Sequence, residues 1–125
     1  MSIQKREIKF RIWDFDAKEF FDDSELQTEL SLSEIFQIEN IVFQQFTGLK
    51  DKNGKNIYEG DIIECEVIGE KEPHYGFIYY NNHLSCFALN ISFMKKVDYE
   101  SINVSHTLNF KIIGNIFENP ELIKN

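Results

Sequence analysis

Turn signals interrupt this chain so often that the segments between them suit short strands and little else. Asn53-Gly54, Glu59-Gly60-Asp61, the polar stretch 69–74 with Pro73, and Asn81-Asn82-His83 all read as reversals. Between them the apolar residues keep the period of a strand with one buried face. Ile8, Phe10 and Ile12 alternate with Lys9 and Arg11, and Ile63, Cys65 and Val67 share one side of residues 62–68. Further strands are predicted over 41–46, 76–80, 84–91 and 110–117, with 102–104 extended. Twelve Phe and five Tyr add to the lean towards a pleated, half-buried surface. Long helices do not alternate with these strands. The pattern predicts a mainly β fold, a small antiparallel SH3-like barrel or half-barrel.

Two parts of the chain depart from that pattern. Over residues 16–43 the apolar spacing fits neither period well; a turn at 16–18 is followed by a short helix expected to begin near Ser33. At the other end Asn119-Pro120 reads as a helix cap with Pro at the first helical position, predicting one helical turn. The expected organisation is therefore an N-terminal element over 1–43, a strand plus an irregular or short-helical segment suited to oligomerisation, and a β-barrel domain over 44–125. Asn53-Gly54 is expected to form a type I′ turn, with positive φ at both residues, at the tip of a tight protruding hairpin.

Charge narrows the function. Thirteen basic and 21 acidic residues give a net charge of −8. Nucleic-acid binding, whose affinity comes largely from neutralised phosphates, is disfavoured. Lys50, Lys52 and Lys55 are a local exception, and they keep a nucleic-acid-binding barrel as an alternative. An acidic surface also suits a decoy for a basic host protein surface. Cys65 and Cys86 lack a CxxC spacing and read as small apolar side chains rather than a disulfide framework. No signal peptide or stretch of ~18 apolar residues is visible, which predicts a cytoplasmic protein without membrane contact.

Catalytic chemistry finds little support. His74, His83 and His106 lack metal-ligand spacing and read as exposed or singly bonded. His83, Ser85 and Cys86 make only a weak nucleophile arrangement. The pairs Asp14/Asp16, Asp22/Asp23 and Glu64/Glu66 read as solvated faces, and Gly48, Gly54 and Gly60 lack the ending of a phosphate-binding loop. Phe77, Tyr79 and Tyr80 are better explained by sheet packing than by base stacking. No catalytic, metal or cofactor residue is predicted, and an enzyme is not expected.

Three blocks do carry a specific pattern: Arg6-Glu7-Ile8-Lys9-Phe10-Arg11-Ile12-Trp13-Asp14, the whole of residues 45–63 from Gln45-Phe46-Thr47-Gly48 to Gly60-Asp61-Ile62-Ile63, and residues 112–122 with Ile113-Gly114-Asn115 and Asn119-Pro120. In order and spacing this resembles the YopX-like family of phage and prophage proteins. The resemblance implies a mostly β protein of phages or prophages in a bacterial host cell, tending to homo-oligomers, with an unknown phage or host protein as partner. It supplies no activity. Its signature residues are Trp13, Thr47, Gly48, Asp51, Asn53, Gly54, Tyr58, Gly60, Asp61, Gly114, Asn115, Asn119 and Pro120, which read chiefly as architecture. Lys50, Lys52, Asn53 and Lys55 form a candidate recognition loop. The leading reading is a non-enzymatic, oligomeric protein-interaction module, with residues 8–13 or 16–43 as the segment that augments or swaps into a neighbour's sheet.

Overall fold

The computed structural model describes residues 6–22, 31, 33–34, 37–92, 94 and 101–124, which form two antiparallel sheets. The first contains β1 (Phe10–Asp14), β2 (Glu19–Asp22), β3 (Ile41–Lys50) and β4 (Asn56–Tyr58), in the order β2-β1-β3-β4. The second contains β5 (Asp61–Val67), β6 (His74–Asn81), β7 (Cys86–Asn90), β8 (Ser101–Asn103) and β9 (Thr107–Asn115), in the order β8-β7-β6-β5-β9. The mainly β half-barrel predicted from turn spacing is the observed class. The chain crosses between sheets at Glu59-Gly60. The boundary expected after residue 43 falls within β3, and the sheet continues across it.

Alternation decides which side chains reach the core. In β5 Asp61, Ile62, Ile63, Cys65 and Val67 are buried while Glu64 and Glu66 face water. Ile63, Cys65 and Val67 join Ile57, Ile78, Leu89, Ile91 and Ile102 in one apolar cluster. Removing any of its larger side chains would cost about 2–5 kcal/mol through lost transfer energy and the cavity left behind. Gly76 is required here by close approach: a Cβ would collide with the backbone carbonyl of Asn90 on β7.

Several local expectations change. β1 is paired on both sides over Arg11–Asp14, with β2 and with β3, so that part of the 8–13 segment is already committed and offers no free edge to a neighbour. The Asp14 carboxylate accepts the N–H groups of Asp16 and Ala17 at 2.9 and 3.1 Å, closing the β1–β2 turn where 16–18 was predicted to bend. The short helix begins at Ser33, as expected, and is capped by Ser31 two residues before it. Ser31 and Glu34 exchange backbone and side-chain hydrogen bonds in a capping box, with Ser33 and Glu34 helical. Residues 23–30 and 95–100 lie outside the described residues.

β7 begins at Cys86 rather than at Leu84, because Asn81 Oδ1 accepts from the His83 and Leu84 N–H groups and draws both into the turn. β9 spans Thr107–Asn115 rather than 110–117. Asn115 Oδ1 accepts the Phe117 N–H, and Ile116 donates to Gly60 instead of continuing the ladder. The predicted C-terminal turn is a 3-10 helix over Pro120–Ile123. Asn119 precedes it but does not cap it; its Oδ1 accepts the Asn115 N–H at 3.1 Å instead.

Candidate functional site

The three signature blocks meet where the two sheets join. Arg11 on β1 places a guanidinium nitrogen 2.9 Å from Asp61 Oδ1 at the start of β5. The same guanidinium donates to Gln44 Oε1 at 2.7 and 3.2 Å and to the Glu59 carbonyl at 3.2 Å. Its flat faces lie against the rings of Phe20 and Tyr58, 4.2 and 4.8 Å from their centroids, where a weakly hydrated cation gains from the ring quadrupoles. Asp61 Oδ2 accepts the Tyr58 N–H at 2.8 Å, and its Oδ1 also accepts from Asn115 Nδ2 at 3.3 Å. Burial pushes the Asp61 carboxyl above the usual aspartate range, and these donors only partly offset it. Trp13 reinforces the junction by stacking on Phe117, with centroids 5.5 Å apart and planes within 9°.

Glycine is required at this joint. Gly60 has φ +83°, and a Cβ there would run into the Gln44 amide that holds Arg11. Gly114 admits the tail in the same way, since a Cβ would meet Asn119 and Leu122. Arg11, Gln44 and Glu59 were not singled out from the sequence. The available signal was a lone Arg among the aromatics of a strand, and a Gln inside the apolar run 41–46.

The candidate recognition loop has an inner and an outer side. Asp51 is buried, and its Oδ1 accepts the Asn53 and Lys55 N–H groups at 2.9 Å each. Its Oδ2 takes the Ile112 N–H on β9 at 3.4 Å, while Lys52 donates its N–H to the Phe110 carbonyl at 2.8 Å. Burial would raise the Asp51 pKa, but the N–H donors of Lys55, Asn53 and Ile112 together hold it below the ordinary value. The loop therefore lies along the outer side of β9, the end strand of its sheet, instead of protruding. Only Gly54 has positive φ, so the expected type I′ turn is corrected: Gly54 N–H bonds to the Asp51 carbonyl at 2.9 Å, and the Asp51 carboxylate fixes Asn53. Thr47 Oγ1 donates to the Ile57 carbonyl at 2.8 Å and accepts the Leu49 N–H at 3.1 Å, bridging the irregularity beside Gly48. Lys50, Lys52, Asn53 and Lys55 all remain exposed.

The other candidates separate. His74 is buried with contacts at both ring nitrogens, rather than exposed or singly bonded as expected. Its ring nitrogens contact Glu70 Oε2 at 3.5 Å and the Glu72 carbonyl at 3.1 Å. Among the described residues no group of three His, Cys, Asp or Glu could hold a metal ion. Burial raises the Cys65 thiol to about 11, so it remains protonated, and both cysteines are free. Phe77 and Tyr79 pack on each other 6.2 Å apart, and Tyr79 donates its hydroxyl proton to Ser101, which ties that stripe to the sheet. A groove of about 470 Å³ beside the loop is lined by Lys52, Lys71, Lys111, Glu64, Glu66 and Glu70 among others. A more apolar cleft of about 670 Å³ lies between Val67-Ile68, Leu84 and Ile102. No described helix is long and apolar enough to cross a membrane.

Comparison with known proteins identifies the scaffold. No curated protein matches the chain. The protein EF1440 from Enterococcus faecalis has a similar structure, with a TM-score of 0.58 and 27% identity, covering 96% of this chain and all of that one. The protein YopX from Bacillus subtilis is similar in fold, with a TM-score of 0.56 and 17% identity over 94% of this chain and 96% of its own. The family model described as YopX protein matches residues 9–124, which takes in the junction, the Asp51 loop and the C-terminal turn. The chain belongs to the YopX family.

Proposed function

We propose that this chain is a non-enzymatic phage or prophage accessory protein that works by protein contact, as an oligomer, in the cytoplasm of a bacterial host. The observation carrying this reading is the division of labour in residues 50–55. Asp51 ties the loop to β9 while Lys50, Lys52, Asn53 and Lys55 face water. A contact surface ordered in advance loses less entropy on binding than a floppy one. Three lysines on a chain of net charge −8 also give it a local field opposite to that of the whole molecule.

The test has two arms. Sedimentation equilibrium at micromolar concentration should detect assembly; monomer alone would remove the oligomeric part. Tagged wild type and a Lys50/Lys52/Lys55→Glu variant, matched by circular dichroism, are then compared for proteins recovered during prophage induction. The reading expects a defined partner lost from the variant, and identical recoveries would contradict it. The same lysines support a second reading, a nucleic-acid-binding barrel. Steeply salt-dependent binding to oligonucleotides would favour that alternative.

A further inference from the structure

Asn53-Gly54 is the most chemically labile pair in the exposed part of the signature, and its environment sets how labile it is. An asparagine side-chain amide is open to attack by the following backbone nitrogen, and a side chain on the following residue ordinarily shields it. Here that residue is glycine, and nothing lies within 4 Å of where its Cβ would stand. Both residues are exposed. Three hydrogen bonds work against the attack. The nucleophile, Gly54 N–H, is held by the Asp51 carbonyl at 2.9 Å, and Asp51 Oδ1 holds the N–H groups of Asn53 and Lys55.

We propose that Asn53-Gly54 is a self-modification site whose rate is governed by the Asp51 hydrogen bonds. Gly54 N, its proton lost to solvent base, bonds to Asn53 Cγ. The Cγ–Nδ2 bond breaks and the nitrogen leaves as ammonia, giving a cyclic imide. Water then opens the imide at one carbonyl or the other, leaving aspartate or isoaspartate. Either product puts a negative charge between Lys52 and Lys55. The isoaspartate product also lengthens the main chain by one carbon inside the turn closed by Asp51 N–H to the Lys55 carbonyl. That lengthening loosens the bond from Lys52 N–H to Phe110 and uncovers the outer side of β9.

The full-length chain is incubated in mildly alkaline buffer, native and in denaturant, and residue 53 is followed by peptide mass spectrometry with isoaspartate detection. Conversion at Asn53 but not Asn56 is expected, about tenfold slower in the native chain, the factor for an opening that breaks roughly one net hydrogen bond. A folded Asp51→Ala variant, which lacks the side-chain acceptor for the Asn53 and Lys55 N–H groups, should convert faster than native wild type. Absence of conversion at Asn53 in denaturant overturns the site. Equal native and denatured wild-type rates overturn the control by Asp51, whether or not the variant folds.

Discussion

Two aspartates, Asp61 and Asp51, are both buried, yet they hold the molecule together in different ways. Asp61 pairs with a side chain from another sheet, Arg11, fifty positions away, and adds Asn115 and a nearby N–H. Asp51 binds backbone N–H groups, two of them within its own loop and one on β9. The first joint depends on a distant partner keeping its charge. The second depends on the local path of the chain. Long-range pairing fixes how the sheets meet, whereas backbone capture fixes a loop and covers a strand edge.

The largest expected effect breaks the first joint. Arg11→Ala leaves the Asp61 carboxylate buried without its cation and should cost about 3 kcal/mol in urea unfolding, the range for an orphaned buried charge. Trp13→Ala, which removes the stack on Phe117, should cost a similar ~3 kcal/mol. Asp51→Ala should cost less, about 2 kcal/mol, because the freed N–H groups of the exposed loop can turn to water. Its distinctive sign is exposure of the β9 edge, read as self-association in light scattering while Arg11→Ala stays monodisperse at the same concentration.

Acid titration sharpens the contrast, because the two carboxyls shift in opposite directions. The folded pKa of Asp51 is lowered from 3.8, so its contribution is present above that value and fades as pH falls through the folded pKa. The folded pKa of Asp61 is raised from 3.8, so its contribution is present below that value and fades as pH rises through the folded pKa. Stability measured by denaturant against pH should therefore fall less steeply towards acid in Asp51→Asn than in wild type. In Asp61→Asn it should fall more steeply. The smallest effect belongs to the outer loop. Lys52→Ala with Lys55→Ala should change stability by no more than about 0.5 kcal/mol, as exposed side chains do.

What the sequence disclosed about these regions follows the range of each interaction. Local signals carried well: the alternation in β5, the turn after Asp14 and the helical turn opened by Pro120 all act within a few residues, although Asn119 does not cap that turn. The Asn53-Gly54 turn was placed correctly but typed wrongly, since the Asp51 carboxylate and not the Asn-Gly pair selects its geometry. The helix start near Ser33 was read correctly, but the Ser31–Glu34 capping box that fixes it was not singled out. The junction itself was not legible. Nothing near Arg11 announces Asp61, Gln44 or Tyr58, and only the paired register of β1 with β3 brings Gln44 opposite it. The covered edge of β9 was hidden for the same reason, because residues 51–52 and 110–112 are far apart in the chain.

The central claim is that Arg11 and Asp61 act as one unit joining the two sheets. A double-mutant cycle of Arg11→Ala and Asp61→Ala, followed by urea unfolding near neutral pH, tests it most directly. The account predicts a coupling of about 2 kcal/mol, with the double variant more stable than the sum of the single losses would allow. Additive losses, within about 0.5 kcal/mol, would contradict it.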